Sequence, residues 1–130
     1  MSEAAYRRML LAGALWNLAG GTFVILATPW IFSQAGLVVP KPGVYYWSWI
    51  ALFMTFGLGY YLAYRDMYRN RDIIRLGAIG KFAFAVIFLY GYYANPGEIP
   101  PFFLIPVIGD LVFVVLFIMF LRFARKQGYQ

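Results

Sequence analysis

The sequence predicts an all-α polytopic membrane protein, a four-helix bundle running up-down-up-down with both termini in the cytoplasm. Three observations predict it: an excess of apolar residues, four apolar segments of spanning length, and a one-sided placement of lysine and arginine. Of 130 residues, 63% are hydrophobic and 22% aromatic, where soluble domains are roughly half apolar. A water-soluble domain of this length has too little interior to hide that much apolar surface. Charged residues make up 12% of the chain, about half the usual share, and they gather at the ends of apolar runs. The length suits one transmembrane domain over residues 1–130.

A transmembrane helix needs roughly 20 apolar residues, and four segments meet that need: 9–30, 44–64, 73–93 and 101–123. The first follows Arg7 and Arg8 as a secretory signal would. It is too long for a signal core, however, and no small-x-small cleavage site closes it, so it reads as a retained helix. Between the segments lie SQAGLVVPKPG (33–43), RDMYRNRD (65–72) and ANPGEIP (94–100). These stretches of proline, glycine and charge break helices. Connections this short make successive helices antiparallel neighbours.

Orientation follows from the basic residues near the span ends. Arg7, Arg8, Arg65, Arg69, Arg71, Arg75, Arg122, Arg125 and Lys126 fall on one side, and only Lys41 on the other. A bias of that size in short loops places both termini and the middle connection in the cytoplasm of a cell whose cytoplasmic membrane holds the protein. Trp30, Tyr45, Tyr46, Trp47, Trp49, Tyr90, Tyr92 and Tyr93 mark the outer boundary, because amphipathic rings favour the headgroup level.

Polar residues deep in the spans are the candidate site. Lys81 lies nine residues past Asp72, and Asp110 twelve before Arg122; at 1.5 Å per residue these are depths of about 14 and 18 Å, near the middle of a roughly 30 Å core. Asn17 and Thr55 fall in the same layer by the same counting. Asn17, Thr55, Lys81 and Asp110 are therefore expected to point inward together. Small residues mark the faces on which membrane helices approach, and they flank three of the four: Gly13, Ala14, Gly20 and Gly21 near Asn17; Ser48, Ala51, Gly59 and Ala63 near Thr55; Gly77, Ala78 and Ala85 near Lys81. In the fourth span, Pro106 and Gly109 precede Asp110 in LIPVIGD. Proline removes a ladder donor, so a kink is expected there, either accommodated by packing or opening a site. Lys81 and Asp110 have two readings, a buried ion pair that fixes helix register or a proton or anion site.

Composition excludes much chemistry. The chain has no cysteine and no histidine, which removes thiol chemistry and the usual metal ligand and proton shuttle. Five acidic residues in all, with only Asp110 inside a span, leave no paired carboxylates. Serines without a histidine have no usual activating base. No catalytic residue, metal site or cofactor is therefore expected. The net charge of +6 does not point to nucleic acid, since a binder needs a basic face on a folded soluble domain. The cluster Arg65, Arg69, Arg71 and Arg75 serves topology, or docks an acidic partner or anionic headgroups.

The segments GLGYYLAYRD, RLGAIGKFAF and GDLVFVVLFIMFL resemble small uncharacterised bacterial four-helix membrane proteins and are loosely similar to the DoxX-like grouping. The resemblance covers about residues 55–123 and rests on the dipeptides Gly80-Lys81 and Gly109-Asp110. It implies a four-helix bundle in the cytoplasmic membrane. Some members are partner subunits in quinone-linked oxidation, and no motif here carries that activity across. The expected function is a non-catalytic accessory or structural subunit, or a homo-oligomer, packing against protein, membrane lipid or a hydrophobic ligand. The alternatives are a small transporter or channel subunit using Lys81 and Asp110, and a lipid- or quinone-linked enzyme.

Overall fold

Ser2 begins the first helix by accepting a hydrogen bond from the Ala5 amide, which satisfies one of the donors that a helix start leaves open. In the computed structural model, which describes residues 1–129, this helix is α1, Glu3–Gln34; it is followed by α2, Val44–Arg65, α3, Arg71–Ala94, and α4, Leu104–Lys126. A 3₁₀ turn, Pro101–Phe103, leads into α4. Gln130, the last residue of the expected domain, lies outside the described residues. Among the described residues every regular element is helical.

Three helical stretches are long and apolar enough to cross a membrane: α1, α3, and the 3₁₀ turn taken together with α4. The second helix has the length, with 22 residues, or about 33 Å at 1.5 Å per residue. It is not among those three stretches, and it carries seven tyrosines and tryptophans. The first helix is longer than its expected span of 9–30. At 32 residues it reaches roughly 48 Å, more than a hydrocarbon core of about 30 Å. It also runs through Pro29, whose ring nitrogen cannot donate to the Ile25 carbonyl.

Two compact units divide the chain, Met1–Arg65 and Asp66–Gln130. In the first, α1 packs on α2. The connection begins with a helix cap in which Gly36 takes φ +64°, while the Gly36 and Leu37 amides return to the Ser33 and Phe32 carbonyls. That left-handed cap is open to glycine at no steric cost. Contacts along the pair run in antiparallel order. Arg7 Nη2 donates to the Arg65 carbonyl at 3.4 Å, Asn17 Nδ2 to the Phe53 carbonyl at 2.8 Å, and the Thr28 and Tyr46 hydroxyls meet at 3.1 Å. Gly57 makes the close approach possible, because a Cβ there would stand 2.9 Å from the Asn17 Cβ and 2.9 Å from the Leu18 Cγ.

In the second unit, α3 packs on α4. The inner side of α4 carries Val107, Asp110, Val114, Phe117, Phe120 and Ala124, all buried, at the three- and four-residue spacing of a helix seam. On α3 the buried set is Ile74, Gly77, Ala78, Lys81 and Ala85, so large side chains of one helix meet small ones of the other. The expected kink at Pro106 needs correction. The helix begins at Leu104, which puts Pro106 in its first turn, where the amide has no helical partner to lose. Gly109 follows as an ordinary half-buried residue of that helix.

Two glycine substitutions separate close packing from open surface. Gly57→Ala is expected to destabilise the α1–α2 pair by about 1–3 kcal/mol through overpacking. Gly80→Ala, whose added Cβ would meet nothing within 4 Å, is expected to be neutral or slightly stabilising. Loss of helical circular dichroism during detergent-denaturant titration reads both.

Candidate functional site

Lys81 and Asp110 face each other from the inner sides of α3 and α4. Lys81 Nζ donates to Asp110 Oδ1 at 2.5 Å, with the side chains 5% and 6% exposed. Gly77, Ala78 and Ala85 are buried on the same side of α3 as Lys81, and residues that small leave room for a long stem. Its ammonium also lies 5.4 Å from the centre of the Phe113 ring, within cation–π range. The two charges balance, and the short hydrogen bond makes the pair directional. Neither charge alone would be tolerated in an apolar seam.

The other half of the expected layer divides. Asn17 is buried and bonds across to the Phe53 carbonyl on α2. That oxygen has a second lone pair for the purpose, and Gly57 one turn later lets Asn17 come close enough to use it. Thr55 is the correction. It is exposed, and its hydroxyl donates back to the Ala51 carbonyl of its own helix at 2.8 Å. The α2 residues that turn inward are Ile50, Gly57, Tyr60 and Ala63, roughly half a helical turn away from Thr55. Ser48 and Ala51, which share the Thr55 side, are exposed as well.

A buried polar contact escaped the depth count. The Thr28 hydroxyl donates to the Val24 carbonyl at 2.6 Å, so the Tyr46 hydroxyl is the donor in its 3.1 Å contact with Thr28. Tyr46 reads in sequence as one of eight boundary aromatics, whereas its ring is half-buried and packs edge-on against Phe32 at 5.4 Å. Trp30, Tyr45, Trp47, Trp49, Tyr90 and Tyr93 are exposed.

The cluster of arginines also regroups. Arg65 closes α2, where its carbonyl takes the Arg7 guanidinium. Arg69 lies in the turn 66–70, its amide donating to the Asp66 carboxylate at 3.0 Å. Arg71 and Arg75 instead line a groove of about 390 Å³ in company with Arg122 and Arg125 of α4. Neither Lys81 nor Asp110 lines it.

Compared with protein-family models, with curated proteins and with solved structures, the chain matches none.

Removing one member of the central pair leaves the other charged in an apolar seam. Lys81→Met and Asp110→Leu are each expected to cost about 3–5 kcal/mol, and the double variant to recover most of the loss. Denaturant titration of the three variants in micelles measures the cycle; a double variant as unstable as the sum of the singles would remove the pair as the cause.

Proposed function

We propose that the chain is a non-catalytic protein of the cytoplasmic membrane that works by contact, as an accessory subunit or as a homo-oligomer. In this reading four helices cross as two antiparallel hairpins, with both termini in the cytoplasm. The lysine and arginine bias supports the orientation. The contacts of α2 along α1, from Arg65 to Tyr46, support a shared crossing for those two.

The observation that carries the contact role is the side of α2 turned away from α1. Ser48, Ala51 and Thr55 lie there exposed at helical spacing, and both hydroxyls are already bonded to carbonyls of their own helix. A ridge of small residues without a polar demand suits close approach by another membrane helix. Side chains facing lipid alone are usually longer and apolar, as Leu58 and Leu62 are further along the same side and Leu52 is beside it, all exposed.

A second reading, a proton or anion transport subunit, draws on the presence of an ionisable pair within two apolar helices. Mutual neutralisation of Lys81 and Asp110 weighs against it, because a transported ion would have to break the pair.

The contact role is tested on membranes solubilised gently and examined by native mass spectrometry. A species heavier than the 14.9 kDa monomer, homomeric or with another protein, is expected. The cysteine-free sequence adds a positional check: Thr55→Cys is expected to form intermolecular crosslinks on mild oxidation, and Leu26→Cys on α1 is not. A lone monomer without crosslinks contradicts the proposal. A proton or anion flux in proteoliposomes, abolished in the folded double variant of Lys81 and Asp110, would favour transport instead.

A further inference from the structure

The groove at the arginine end of the α3–α4 hairpin has a chemistry that neither the packing of the hairpin nor the contact role requires. Its basic wall is formed by Arg71 and Arg75 from the first turns of α3 and by Arg122 and Arg125 from the last turns of α4. Its remaining lining is uncharged: Ile118, Leu121 and Tyr129. Four guanidinium groups around one groove repel each other, and an arrangement of that kind is stabilised by an anion between them.

Tyr129 is brought there by the end of α4. Gly128 takes φ +88°, the Gly128 amide returns to the Arg125 carbonyl and the Tyr129 amide to the Ala124 carbonyl. This paired reversal turns the chain back over the helix end. The Tyr129 ring then stacks on Tyr68, with centres 4.2 Å apart and planes 18° from parallel.

The donors of the groove are incompletely used. Arg71 is fixed by its Nη1, which donates to the Tyr68 carbonyl at 2.9 Å, while its buried Nε has no acceptor among the described residues. A buried donor without an acceptor is costly and marks a place for one. Arg75 pairs with Asp72 at 2.6 Å, an exposed contact of small worth that water and salt weaken. Among the described residues, Arg122 and Arg125 have no carboxylate in ion-pair range.

We propose that this groove binds the phosphate-bearing headgroup of an anionic membrane lipid, with the arginines on the phosphate and the apolar lining under the start of the acyl chains. The choice of lipid over a soluble phosphate rests on what adjoins the groove. Ile118 and Leu121 lie on the membrane side of Arg122 and Arg125 along α4, and Leu76, Val115 and Met119 extend an exposed apolar surface from there. Planar guanidinium groups match phosphate oxygens in pairs. Several arginines in one groove favour a headgroup with two phosphates over one. The proposal rests on the membrane crossing of α3 and α4, and it is independent of any partner subunit.

The test is native mass spectrometry of the full chain in an uncharged detergent, titrated with phosphatidylcholine, phosphatidylglycerol and diphosphatidylglycerol. Retention is expected to rise in that order. At about a factor of five per basic residue, Arg122→Gln with Arg125→Gln is expected to weaken the two-phosphate lipid roughly 25-fold. Arg8→Gln with Lys41→Gln removes the same charge from exposed positions outside the groove, and is expected to leave binding unchanged. Arg122→Lys with Arg125→Lys keeps the charge and loses the fork, so an intermediate loss is expected. Equal retention of all three lipids by the unsubstituted chain overturns the proposal, and so does equal loss in the groove and control variants. Displacement of bound lipid by inorganic phosphate or by an oligoglutamate peptide as readily as by excess anionic lipid also overturns it, assigning the groove to a soluble anion or an acidic protein. Stoichiometry in the same spectra is a separate reading: monomers holding anionic lipid would end the subunit role and leave the lipid site standing.

Discussion

Hydrocarbon offers no hydrogen bonds, so a polar atom carried into the membrane must find its partner within the protein. The Lys81–Asp110 contact is where that constraint would bear hardest on this chain, since two ionisable side chains are buried in the seam between α3 and α4. Its geometry sets what surrounds it. Glycine and alanine flank the lysine stem on α3, and Phe113 lies beside the ammonium. A shift of either helix by one turn, about 5.4 Å, would separate the two groups and leave each without its partner. In the contact reading proposed above, the pair sets register as well as attracting, in the way that single buried polar residues fix the register of coiled coils.

The α1–α2 hairpin satisfies its buried polar side chains without a buried charge. Asn17 spends an amide hydrogen on a backbone oxygen of α2, and Tyr46 spends its hydroxyl hydrogen on Thr28. These contacts need the helices close together, and Gly57 supplies the closeness. One hairpin buries an ion pair, while the buried contacts of the other are neutral hydrogen bonds over a glycine, its one guanidinium contact lying at the exposed end. The exposed hydroxyls of Ser48 and Thr55 satisfy themselves on the preceding turn. That local solution leaves their side of α2 smooth and small.

Much of this was legible in the sequence, for reasons that also explain what was not. Hydrophobic runs and proline–glycine breaks set the helices to within a few residues for α2 and α3. The first helix outran its expected span because its polar ends, which include Glu3, Arg7, Arg8, Ser33 and Gln34, carry no hydropathy signal. Lys81 and Asp110 are legible from depth, with the small residues beside Lys81 marking its face, which suffices when two ionisable groups neutralise each other across adjacent helices. Depth failed for Thr55 because a hydroxyl has a local alternative: it bonds its own helix and faces outward. The small residues around it misled for a related cause, since α2 carries small residues on both sides and spacing cannot say which side meets α1. Pro106 was misplaced by a boundary, as three residues of 3₁₀ turn before α4 put it in the first turn. The groove was hidden because Arg122 and Arg125 had been counted only as topology signals; the fold brings them beside Arg71 and Arg75, and no local pattern shows that.

The two-hairpin topology stands or falls with α2 crossing the membrane beside α1, although α2 is not among the three stretches apolar enough to cross by composition alone. Cysteine labelling addresses it directly, because the chain has no cysteine of its own. Single cysteines at Val38, exposed in the connection before α2, and at Arg69, exposed in the turn after it, would be treated in intact cells with a membrane-impermeant maleimide. Labelling of Val38→Cys in intact cells, with Arg69→Cys labelled only once the membrane is opened, is the expected result. Labelling of both positions from the same side would contradict a crossing α2, and with it the two-hairpin topology.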